Sequence, residues 1–192
     1  MGMQTWVEAI GVPAATDGVA LTNSTTATSL LGGTGTGASA AKYSIPANWW
    51  YVGRALRVRA AGRISTVVTT PGTLTLDLRL GATVVANGGA MTLSTTAKTN
   101  VAWDLEWLLT CRTVGSGTAA TLMHQGRFTS EAAGATTVAG EAKVILLPQS
   151  APAVGTGFDG TAALTLDLFG TWSVASASNS ILLHQFAVET LN

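Results

Sequence analysis

Apolar and polar residues alternate along much of this chain, and the clearest instance occurs twice: Leu74-Thr75-Leu76-Asp77-Leu78 and Leu164-Thr165-Leu166-Asp167-Leu168. Successive side chains of an extended strand point to opposite faces, so this alternation marks a strand with one dry and one wet side. The same period puts Leu56, Val58, Ala60, Gly62 and Ile64 on an inner face and Arg57, Arg59 and Arg63 on an outer one. Thr70-Pro71-Gly72 separates that strand from the first repeat copy and reads as the turn of a hairpin joining them. Residues 82–86 and 90–93 read as shorter strands parted by Asn87-Gly88-Gly89. Over residues 101–111 Val101, Trp103, Leu105, Trp107, Leu109 and Cys111 take every odd position. A helix would align only Trp103, Trp107, Leu108 and Cys111, so the period of two wins.

Further strands are predicted at residues 119–129, 143–147, 163–174 and 181–189. With no amphipathic helix between them, these strands predict an all-β fold: an antiparallel β-sandwich, jelly-roll-like, with an extended N-terminal arm. The division falls at residues 1–41 for the arm and 42–192 for the sandwich. The arm carries two short strand signals, at residues 19–21 and 28–31, and the tract Gly32-Gly33-Thr34-Gly35-Thr36-Gly37, which has too little side chain to build a core. In the last strand Leu182, His184, Phe186 and Val188 make a second apolar face beside the core face, the pattern expected where a neighbouring subunit packs.

Composition adds to that picture. Only 10% of the 192 residues are charged while 47% are hydrophobic, against roughly 25% charged in an average soluble domain. Other chains are expected to cover part of such a surface. Ten basic and ten acidic residues cancel, which removes the attraction that nucleic acid or an anionic membrane requires. The mean hydropathy is +0.37, yet no run approaches the roughly 20 apolar residues that span a bilayer. Residues 1–12 lack the basic start and apolar run of a secretory signal.

Candidate chemistry is sparse. Cys111 is the only cysteine, and its phase predicts a buried thiol. His124 and His184 each follow two apolar residues and precede glutamine, without the spacing of a metal site, so both read as structural. Asp77 and Asp167 are the acidic positions of the repeat. A glycosidase needs paired carboxylates, but a solvated aspartate opposite an arginine on a strand face explains each one. The Gly-Thr tract lacks the lysine of a phosphate loop, and no Gly-x-Ser-x-Gly elbow occurs. No metal, cofactor or catalytic residue is therefore assigned. Trp49, Trp50 and Tyr51 read either as core or interface packing or as a platform on which a sugar ring stacks.

Read in order, Ile45-Pro46-Ala47-Asn48, Val52-Gly53-Arg54-Ala55-Leu56-Arg57-Val58, Gly62-Arg63-Ile64-Ser65, Thr70-Pro71-Gly72-Thr73-Leu74, Gly126-Arg127-Phe128 and Leu183-His184-Gln185-Phe186 resemble the jelly-roll virion proteins of tailed bacteriophages. The resemblance covers residues 42–192. It implies a non-enzymatic structural protein, a homotrimer made in the host cytoplasm and carried in the virion. The first expectation is a capsid decoration protein on the capsid exterior, bound to the major capsid protein. Its arm would reach over neighbouring subunits, and deleting residues 1–40 would abolish binding while leaving a folded trimer. The alternative is a tail- or fibre-associated carbohydrate- or receptor-binding module that stacks sugars on Trp49, Trp50 or Tyr51.

Overall fold

The computed structural model describes residues 7–10, 16–32, 42–67, 69–134 and 140–191. Their regular structure is entirely strand, in chain order β1 (Glu8–Ala9), β2 (Leu21–Thr22), β3 (Thr28–Ser29), β4 (Tyr43–Ile45), β5 (Ala55–Thr66), β6 (Thr73–Leu80), β7 (Thr83–Thr92), β8 (Lys98–Thr113), β9 (Thr121–Ser130), β10 (Lys143–Leu147), β11 (Ala153–Val154), β12 (Leu164–Trp172) and β13 (Ser180–Thr190). They form two antiparallel sheets packed as a sandwich. The larger runs β1-β13-β5-β8-β9-β10, with β2 also on β13 and β11 also on β9; the smaller runs β3-β12-β6-β7, with β4 also on β12.

The chain closes on itself in nested fashion, first long strand on last (β5 on β13) and second on second-last (β6 on β12), as in a jelly roll. Inside that frame β6 and β7 form a hairpin and the chain then returns to lay β8 beside β5, a Greek-key step. The hairpin expected between β5 and β6 is not formed. β5 belongs to the large sheet and β6 to the small one, because each strand finds its partners elsewhere in the sequence. Nor does Asn87-Gly88-Gly89 end a strand. β7 runs through it, and Gly88 lets the edges of the two sheets approach: a Cβ there would lie 3.0 Å from Leu147 Cδ2.

The inner faces follow the alternation. Leu56, Val58, Ala60 and Ile64 of β5, Leu74 to Leu80 at even positions of β6, and Trp103 to Cys111 at odd positions of β8 are all buried. They belong to one continuous core that also takes in Leu21, Leu30 and Leu31. Residues 16–32 are thus woven into the sandwich. β2 extends the large sheet beyond β13 while β3 extends the small one beyond β12, and Gly18 N and Leu30 N donate to Leu183 O and Leu168 O at 2.8 Å each.

The two copies of the repeated phrase are neighbours. β6 and β12 pair with Leu78 opposite Leu168 and Leu80 opposite Leu166. Their shared outer face is less wet than alternation suggests: Asp77 and Asp167 are only 4% and 6% exposed, not solvated. Asp167 does lie opposite Arg79 in register, but its ion pair is with Lys42, at 2.8 Å, and Ser29 Oγ donates to its other oxygen at 2.8 Å. Arg79 turns along its own strand to Asp77, Nε to Oδ1 at 2.6 Å, and stacks on Phe169, its guanidinium carbon 4.0 Å from the ring centroid. Phe169 sits directly across from Asp77, so ring and guanidinium together exclude water from that carboxylate.

The last strand departs from the reading in which Leu182, His184, Phe186 and Val188 share an outward face. A bulge between Leu183 and Gln185 inserts one extra residue against Gly62 and Ala61 of β5 and reverses the phase. Ile181 and Leu183 point inward before it; Phe186 and Val188, 3% and 1% exposed, point inward after it and belong to the chain's own core. The Trp103 indole N–H, 3.2 Å from both Arg63 O and Leu182 O, pins the bulge. Gly62 permits it, since a Cβ there would come within 2.0 Å of Leu182 O.

Candidate functional site

The aromatic triplet lies in the turn leading into β5 and is split by burial. Trp50 is a core residue, 7% exposed, meeting Phe158 edge-on with centroids 5.5 Å apart. Trp49 is half-buried and Tyr51 is 44% exposed. Between these two rings lies Arg54, its guanidinium carbon 4.0 Å from the Trp49 centroid and 4.2 Å from that of Tyr51, with Nη1 donating to Trp49 O. A cation held against two aromatic faces is worth roughly 1–2 kcal/mol. Its position is fixed by a tight turn, Arg54 N to Tyr51 O at 3.0 Å, and by the Cys111 N to Arg54 O bond at 2.8 Å that joins the turn to β8. Arg54 thus fills the gap between the rings, and Tyr51 remains the most exposed of the three. The sequence signal was the spacing of Arg54 three residues after Tyr51, which only a turn converts into a stack.

The thiol of Cys111 is 1% exposed, and burial pushes its pKa up despite the Arg54 charge nearby. His124 on β9 faces the core, 3% exposed, against Trp107 at 6.1 Å between centroids, and burial alone holds its pKa below the ordinary 6.5. His184, the bulged residue of β13, stays half-exposed, with Nδ1 2.6 Å from Asp17 Oδ1. The two histidines therefore serve different places: one in the core and one where the N-terminal segment meets β13. Among the described residues no three His, Cys, Asp or Glu side chains converge as a metal site would require. Asp77 and Asp167 come together on one sheet face, but each is engaged by its own cation.

Two surface features of the large sheet were not read from the sequence. Beside the bulge, the small side chains of Ala61 and Ala187 floor a recess of about 400 Å³ walled by Arg59, Asp104, Gln185 and Glu189. Across the same outer face, toward β10, apolar side chains stand in the open. Val144 and Leu146 are both 59% exposed, with Val154 at 48% and Leu108 at 44%. Strand alternation put Val144 and Leu146 on one face; that this face is outward depends on where β10 docks. No protein-family model, curated protein or solved structure matches the chain.

Proposed function

We propose that the protein is a non-enzymatic structural component of a bacteriophage virion, a decoration protein that attaches to the outer capsid surface as a trimer and stabilises it through contact with the major capsid protein. One observation supports an assembly role above others: Leu108, Val144, Leu146 and Val154 all stand exposed on one outer face of the large sheet, while Val7, Val19 and Val174 are exposed elsewhere. Contiguous apolar surface is the mark of a face that another chain covers. Of the side chains with reactive potential, Cys111 and His124 are in the core and Asp77 and Asp167 are held in ion pairs, while His184 is half-exposed against Asp17. The virion assignment itself comes from the ordered motifs of residues 42–192. A sugar-binding reading has less to draw on, because Trp50 is core and Arg54 occupies the space between Trp49 and Tyr51.

The test is to mix the purified protein with capsids that lack it, sediment the capsids, and image them by electron cryomicroscopy. Density in threefold clusters on the outer shell is expected. No cosedimentation, or density confined to the tail, overturns the assignment, and the latter result transfers the protein to the tail-associated alternative.

A further inference from the structure

We propose that the outer face of β8, β9 and β10 is the surface through which copies of this chain associate, with Asp104 of one copy pairing with Arg127 of the next. The inference builds on the assembly role above and names the partner that covers this face.

The apolar part of the face centres on the sheet edge and reaches in to β8. Val144 and Leu146 lie opposite Thr129 and Arg127 of β9, Val154 lies opposite Met123, and Leu108 lies opposite Gln125. An edge strand that carries exposed aliphatic side chains invites association unless something covers it. Beyond the ends of β8 and β9 the turn residues Tyr51, Val52 and Val114 are also exposed, at 44%, 61% and 46%. Together with β5, the face spans four strands about 4.8 Å apart, the scale of the roughly 800 Å² per partner that a specific interface buries.

Charge identifies the occupant. One rung of this face reads Arg59, Glu106, Arg127 and Leu146 across β5, β8, β9 and β10. Two arginines, each 56% exposed at the side chain, share the single Glu106 carboxylate at 3.9 and 3.4 Å, leaving a surplus of positive charge. The next rung reads Ala61, Asp104, Thr129 and Val144. Among the described residues exposed Asp104 has no ion pair. A partner of either sign would satisfy one of these groups and strand the other, whereas a second copy brings both. The recess beside Asp104, floored by Ala61 and Ala187, has room for an incoming arginine side chain.

Sedimentation velocity on the full chain at tens of micromolar tests this. The wild type is expected at a multiple of 19.5 kDa. Asp104→Arg and Arg127→Asp should each weaken association by about tenfold or more, and the two combined should restore it. Val144→Asp with Leu146→Asp should give a monomer whose near-UV circular dichroism matches the wild type. A monomeric wild type overturns the proposal, as does a folded Val144→Asp, Leu146→Asp variant of undiminished mass; a double swap no better than the singles removes the Asp104 and Arg127 pairing. A monomer that still decorates capsids overturns this inference and leaves the virion assignment standing, while an oligomer that ignores capsids does the reverse.

Discussion

His124 lies between β8 and β11 with its ring against Trp107 and its Nδ1 buried without a hydrogen-bond partner among the described residues. Because burial holds its folded-state pKa below the ordinary 6.5, the unfolded chain binds the proton more readily. Stability is therefore complete above about pH 6.5 and declines as the pH falls below it toward the lowered folded value. Replacing His124 by leucine should flatten that decline between about pH 7 and pH 5 in urea-unfolding midpoints, and an unchanged slope would show that other groups cause it. Asp77 carries a second expectation at this scale. Asp77→Ala leaves Arg79 on the Phe169 ring without its carboxylate and should cost roughly 1–3 kcal/mol in chemical denaturation. Adding Arg79→Met should recover part of that loss, since the unpaired charge goes with it. Of the two results only the pH effect could be anticipated from alternation, which puts His124 in phase with Leu122 and Phe128; the turn of Arg79 toward Asp77 could not.

At the scale of elements, residues 16–32 behave as part of the sandwich. Leu21, Leu30 and Leu31 are at most 2% exposed, and each buried leucine lost costs roughly 2–5 kcal/mol. Deleting residues 1–40 should thus abolish cooperative folding by circular dichroism, so the part proposed for the arm in capsid binding has to be tested with a cut that spares residues 16–32. The strand signals at residues 19–21 and 28–31 were legible because each joins a leucine to a polar neighbour. What they attach to was not, since β2 and β3 border different sheets. The bulge in β13 is the opposite case. Nothing in Leu182-Leu183-His184-Gln185 marks the extra residue; it exists because Gly62 allows close approach and Trp103 supplies a donor to the carbonyl beside it. Gly62→Ala should therefore destabilise the protein by at least about 1–3 kcal/mol in urea denaturation.

For the whole molecule, one core passes through both sheets and reaches the N-terminal segment, with no second core to unfold separately among the described residues. Thermal or urea unfolding of the chain should then give coincident transitions by tryptophan fluorescence and far-UV circular dichroism. Separated midpoints would count against a single cooperative unit. Folding should also be slow for the chain's size, in the millisecond-to-second range or beyond, because β5 must find β13 and β6 must find β12 across most of the sequence.

By itself the sequence determined that this is an all-β chain, where most of its strands lie, and which side chains of β5, β6 and β8 point inward. That information is local: a period of two is set by the geometry of one extended strand, whatever it pairs with. Tertiary structure alone decided the partners. It put the two copies of Leu-Thr-Leu-Asp-Leu side by side, buried the aspartates that alternation exposes, placed β5 and β6 in different sheets instead of in one hairpin, and reversed the phase of β13. These outcomes depend on contacts between segments distant in sequence, where register, bulges and the space left by Gly62 or Gly88 determine which arrangement packs without a clash.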